Sequence, residues 1–178
     1  MKEVTILDKT FEIMIGQDKI AERIHILSAE ITKEYAGQKP IFIGVLNGAF
    51  LFMADLFRGI ETDCELTFIR VSSYSGTEST GNVKNIVGLT HDIKDRHVIV
   101  VEDIVDTGET MTYLMEELKK QNPTSLKLAT FLFKPAALKK PVHPDYVGFE
   151  INPDFVVGYG LDYDGFGRNL PDIYVLKK

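Results

Sequence analysis

The chain has 178 residues, 44 % of them apolar, which suffices for one domain with its own core and no covalent staples. A net charge of −6 without any Lys/Arg cluster argues against binding nucleic acid, yet leaves room for a phosphorylated substrate held by a few donors and a metal ion. No stretch approaches the ~20 apolar residues of a membrane span, Cys64 has no partner for an intrachain disulfide, and the opening MKEVTILDKT lacks the apolar run of a signal peptide, so the expected location is the cytoplasm.

Ile20, Ile24, Leu27 and Ile31 recur at helical spacing with Glu22, Arg23, Glu30 and Lys33 between them, which predicts an amphipathic helix over Asp18–Tyr35, closed by Gly37 and Pro40. Ile41–Leu46 reads as a buried strand, Asn47-Gly48 as a turn and Ala49–Phe57 as a buried helix. Glu65–Val71 is a further strand. Ser72–Asn85, rich in Ser, Thr, Gly and Asn, reads as a long mobile loop. His97–Val101 is a strand, Thr110–Lys120 a helix, Leu126–Phe133 a strand, and Phe149–Val157 is extended with a break at Asn152-Pro153. Strands alternating with helices predict an α/β fold, a largely parallel twisted sheet flanked by helices. There is no repeat and no linker, so residues 1–178 are expected to form one domain.

The informative segment is Val98–Thr110. Apolar residues lead into the paired acids Glu102 and Asp103; Ile104 and Val105 follow, then Asp106-Thr107-Gly108-Glu109-Thr110 and a helix. In an open parallel sheet, ligands bind beyond the carboxyl ends of the strands. The free N–H groups of a loop feeding a helix, with its hydroxyls and the helix dipole, favour a phosphate there. Taken singly, Thr107, Gly108 and Thr110 are ordinary turn and cap residues; the whole run is more specific.

Val100–Thr110 resembles the phosphoribosyl-pyrophosphate signature of the type I phosphoribosyltransferases. Further segments are similar to the hypoxanthine-guanine branch of that family: Ser72-Ser73-Tyr74 with Ser79-Thr80-Gly81, Phe133-Lys134-Pro135, Phe155-Val156-Val157-Gly158 running on to Asp162-Tyr163, and Arg168-Asn169-Leu170-Pro171. The resemblance covers residue 5 to the end and implies the family's fold, with a small hood formed by terminal segments. One departure is Asn47, where many members carry a basic residue whose peptide to the following glycine can be cis; here Asn47 and Gly48 are left to bind pyrophosphate through their backbone. Relatives that act as regulators share the signature, so a phosphoribosyl-pyrophosphate sensor is the alternative to an enzyme.

The resemblance implies transfer of the phosphoribosyl group of phosphoribosyl pyrophosphate to a 6-oxopurine, giving IMP or GMP in purine salvage. Asp106 is implied as the base that takes the purine N7 proton, and Ser73-Tyr74 as the pair closing over pyrophosphate. Thr107, Gly108, Glu109 and Thr110, with Asp106, are implied to cradle the 5′-phosphate. Lys134 would donate to O6, Phe155 would stack on the base with Val156 beside it, and Arg168 would pair with pyrophosphate. Glu102 and Asp103 would hold the ribose hydroxyls and one Mg2+, with Asp162 near a second. A homodimer or homotetramer is expected.

Overall fold

The computed structural model describes residues 3–74 and 83–177; for residues 72–74 and 83–85 it describes only the course of the backbone. In chain order the elements are β1 (Glu3–Ile6), β2 (Lys9–Ile15), α1 (Gln17–Glu34), β3 (Ile41–Leu46), α2 (Phe50–Arg58), β4 (Glu65–Tyr74), β5 (Val83–Val87), β6 (His97–Val105), α3 (Glu109–Lys119), β7 (Ser125–Phe133), β8 (Tyr146–Glu150), β9 (Val156–Val157) and β10 (Ile173–Leu176). Among the described residues six strands form a sheet of order β5-β4-β3-β6-β7-β8, parallel except for β5.

The central strands are apolar on both faces because both faces are covered. Phe42, Ile99, Val101 and Phe131 pack with Ile20, Ile24, Leu27 and Ile31 of α1 and with Phe52, Met53 and Leu56 of α2. Their neighbours along the strands, Ile41, Ile43, Val98, Val100 and Leu128, face Met111, Leu114 and Leu118 of α3. The period of two on the strands and of 3.6 on the helices thus produces two apolar layers.

The hood is a second, antiparallel sheet of order β1-β2-β10-β9, joining the first and last strands of the chain. Its core holds Ile6, Phe11, Val157 and Tyr174. Two polar contacts attach it to the helices. The Gln17 N–H, in the first turn of α1, donates to Asp172 Oδ1 at 2.8 Å, so a carboxylate from the other end of the sequence does the work of an N-cap where Gly16 has no side chain to offer. The Tyr159 hydroxyl donates to Asp55 Oδ2 of α2 at 2.6 Å. No described helix is long and apolar enough to cross a membrane.

Two predicted boundaries are corrected. The segment Ser72–Asn85 is not a loop throughout: β4 runs on to Tyr74 and pairs with β5, with Ser72 opposite Asn85, Ser73 opposite Lys84 and Tyr74 opposite Val83. Ladder hydrogen bonds come from the backbone, so polar residues sustain an edge hairpin as well as apolar ones. The strand containing the acids does not end at Val101. Ile104 and Val105 still pair with Leu132 and Phe133, which places Glu102 and Asp103 inside β6.

Candidate active site

The loops that follow β3, β6 and β7 converge at the carboxyl edge of the sheet, where the hood reaches over them. The closest approach involves glycine. A Cβ on Gly48 would lie 1.5 Å from Asp103 Oδ2, and one on Gly160 would lie 2.1 Å from the Gly48 carbonyl oxygen. The turn after β3, an acid of β6 and a hood turn therefore meet at one point that admits no side chain. Among the described residues the one cis peptide is Leu46–Asn47, one bond before the Asn47–Gly48 bond that in relatives is expected to be able to be cis.

Glu102 and Asp103 are braced by adjacent amides. Glu102 Oε1 accepts the Asp103 N–H at 3.0 Å, and Asp103 Oδ1 accepts the Ile104 N–H at 2.7 Å. Glu102 is buried, which pushes its carboxyl well above the usual carboxylate range; the neighbouring negative charge of Asp103 adds to the shift. A cation beside the pair would relieve this repulsion. Among the described residues no three His, Cys, Asp or Glu side chains gather at one point, so Asp162 does not complete a cluster with them.

Beyond β6 the chain turns through Gly108, whose φ of 79° lies in the left-handed region, and α3 begins at Glu109. A cavity of about 100 Å³ lies here, lined by Glu102, Asp106, Thr107, Gly108 and Thr110 among others. The segment after β7 braces this loop from below, because the N–H groups of Lys139 and Lys140 donate to the Thr107 carbonyl at 2.9 and 3.2 Å. A wider hollow of about 710 Å³ lies elsewhere, between α1, α2 and the stretch from Tyr159 to Pro171, and takes in none of these acids.

Lys134 is buried and not, as a lone lysine would be expected to be, solvated; its Nζ lies 3.0 Å from Asp106 Oδ2. Its backbone N–H donates to the Val105 carbonyl at 2.9 Å, which fixes the point where the chain leaves β7. Phe155 keeps 43 % of its surface exposed and leans on Phe11 and Tyr163, with ring centroids 6.1 and 5.8 Å apart, while Val156 is buried in β9. Arg168 forms an ion pair with Asp162 at 2.6 Å and donates to the Gly160 carbonyl at 2.6 Å; the Gly165 N–H donates to Asp162 at 2.7 Å.

Asn47, Gly48, Glu102, Asp103, Asp106–Thr110 and Lys134 thus lie on the loops and strand ends of one sheet edge. The backbones of Ser73 and Tyr74 end β4 beside them, whereas their side chains and all of Ser79-Thr80-Gly81 lie outside the described residues. Sequence reasoning missed Gly160 and Arg70. Arg70 stands opposite Leu46 in the register of β3 and β4 and donates from Nη2 to Asn47 Oδ1 at 2.9 Å. A signal was present, since Arg70 is a charge near the carboxyl end of the predicted strand Glu65–Val71.

The family described as Phosphoribosyl transferase domain matches residues 15–164. The chain belongs to the phosphoribosyltransferase family, and the largely parallel sheet flanked by helices is the architecture of that class. It is 45 % identical over 168 residues to a hypoxanthine-guanine phosphoribosyltransferase of Streptococcus pneumoniae, covering 94 % of this chain and 93 % of that one. It is 46 % identical over 167 residues to the bifunctional protein TilS/HprT of Listeria monocytogenes, covering 93 % of this chain but spanning only 26 % of that protein's length. A crystal structure of a hypoxanthine phosphoribosyltransferase from Staphylococcus aureus superposes with a TM-score of 0.87 at 37 % identity, over 93 % of this chain and 91 % of that one. Within the family, its place is thus among the hypoxanthine-guanine phosphoribosyltransferases.

Proposed function

We propose that the protein transfers the phosphoribosyl group of phosphoribosyl pyrophosphate to hypoxanthine or guanine, forming IMP or GMP and releasing pyrophosphate. The observation that carries this reading is the Lys134–Asp106 pair at 3.0 Å, set beside the cavity at the head of α3. A mere sensor of phosphoribosyl pyrophosphate has use for the cavity but none for a buried lysine bonded to a carboxylate.

Purine N9 attacks ribose C1 as the bond from C1 to the pyrophosphate oxygen breaks, and positive charge develops on the sugar as in glycoside chemistry. Asp106 accepts the N7 proton. Lys134 donates to O6, which a 6-amino purine cannot accept because it presents a donor there. Thr107, Gly108, Glu109 and Thr110 hold the 5′-phosphate by backbone N–H groups and hydroxyls. Phe155 packs on the base beside Val156. Asn47 and Gly48, Arg168, and the Ser73-Tyr74 pair take the pyrophosphate.

The donor set at Glu102 and Asp103 fits Mg2+, which keeps several waters and shares the oxygens of its substrate instead of needing a closed protein cage; Asp162 stands as the acid for a second ion. Magnesium, when bound, neutralises the leaving pyrophosphate. Incubation with Mg2+, phosphoribosyl pyrophosphate and each of hypoxanthine, guanine, xanthine and adenine tests the reading. IMP and GMP with equimolar pyrophosphate are expected, and no AMP. Absence of any nucleotide rejects it.

A further inference from the structure

The charges at the carboxyl edge do not balance in favour of an anionic ligand. Lys134 is matched by Asp106 at 3.0 Å and Arg168 by Asp162 at 2.6 Å, and the carboxyl groups of Glu102 and Asp103 stand on the same edge. Arg70 differs. It is exposed, and its contact at this edge is with an uncharged amide, Asn47 Oδ1 at 2.9 Å. Among the described residues no carboxylate lies within ion-pair distance of it. Resting on the functional reading above, we infer that Arg70 is a pyrophosphate-binding residue and that Asn47 is the residue that positions it.

The geometry supports this in two ways. Arg70 stands opposite Leu46 in the ladder, so its side chain leaves the sheet beside the turn whose next residues are Asn47 and Gly48. That turn is pressed against Asp103 and Gly160, so it is fixed in place relative to the acids and the hood. A guanidinium offers five N–H donors in a planar fork, and the bond to Asn47 uses one edge of it. The remaining donors match two phosphate oxygens. The asparagine orients the fork without cancelling its charge, which an aspartate at position 47 would do.

Steady-state constants for hypoxanthine and phosphoribosyl pyrophosphate in the forward direction, and for IMP and pyrophosphate in reverse, provide the test. In Arg70→Ala, KM for both pyrophosphate-bearing substrates should rise about ten- to a hundredfold, the range for lost hydrogen bonds to a charged group. The constants for hypoxanthine and IMP should stay near wild type. Arg70→Lys keeps the charge but loses the fork and should recover part of the loss. Asn47→Ala should move the same two constants in the same direction by less. Adding Asn47→Lys to Arg70→Ala returns a cation to the same edge and should restore much of the binding. Unchanged constants for both pyrophosphate-bearing substrates, or an equal rise for IMP and hypoxanthine, overturn the assignment. Wild-type protein that forms no IMP overturns the functional reading itself, and that result precedes any variant.

Discussion

Asp106 and Lys134 sit in different environments. The lysine side chain is 8 % exposed and the carboxylate 48 %, so the cation is held in the protein while the acid faces the cavity. Asp106→Asn keeps the shape and an acceptor for Lys134 but loses the capacity to take a proton. Its chemical step should slow by about 10²- to 10⁴-fold, the usual worth of general-base assistance, with phosphoribosyl pyrophosphate affinity nearly intact. Single-turnover rates decide this; an unchanged rate removes Asp106 as the base. Lys134→Ala should lower kcat/KM for 6-oxopurines by about ten- to a hundredfold, as expected for a lost charged hydrogen bond, and leave the dissociation constant of phosphoribosyl pyrophosphate in place. Titration of both ligands against the variant checks the split.

At the level of elements, the amino end of the sheet is held by ion pairs and charged hydrogen bonds. Glu34 at the end of α1 accepts from Lys127 of β7 and from the Tyr146 hydroxyl of β8. On the same helix, Arg23 donates to the carbonyls of Val147 at 2.7 Å and Gly148 at 3.0 Å, occupying acceptors of the edge strand β8 that would otherwise stand open. The Lys127 hydrogen bond, then that of Tyr146, holds the Glu34 carboxyl below its ordinary value of 4.5. Because the folded value is the lower one, the stabilisation is present above pH 4.5 and is lost as pH falls through the folded value. Lys127→Ala should therefore cost stability at pH 7, by less than about 1 kcal/mol since the pair is partly exposed. The melting curves of variant and wild type should converge in acid. A difference that persists at low pH would assign the loss to packing.

Across the whole molecule, the hood and the sheet edge are locked together at Gly48. Its backbone touches Asp103 on one side and Gly160 on the other. Gly48→Ala forces a methyl group into the space held by the Asp103 carboxylate. The variant should still fold, losing about 1–3 kcal/mol as overpacked sites do, but its turnover should fall far more steeply than its melting temperature. Melting and initial rates measured on one preparation test this, and normal turnover would show that the contact tolerates displacement.

Most of the sheet was legible in the sequence because its strands are covered on both faces. Ile41–Leu46 and Leu126–Phe133 needed no partner to be recognised, and the run from Glu102 to Thr110 was legible as structure because strand, turn and helix start follow one another along the chain. Legibility failed wherever the partner was distant or the pattern was not apolar. The polar hairpin of β4 and β5 carries no hydrophobic period, and the hood is completed only when β10 pairs with β2 from the opposite end of the chain. Composition and local order determined the fold class and the turn that leads from β6 into α3. Only the tertiary structure decided that Arg70 meets Asn47, that Asp172 caps a helix 155 positions away in sequence, and that Gly160 closes on Gly48. The physical reason is that a hydrophobic period reports which face of an element is buried, whereas a contact across the sheet edge depends on register and chain return, which no local pattern encodes.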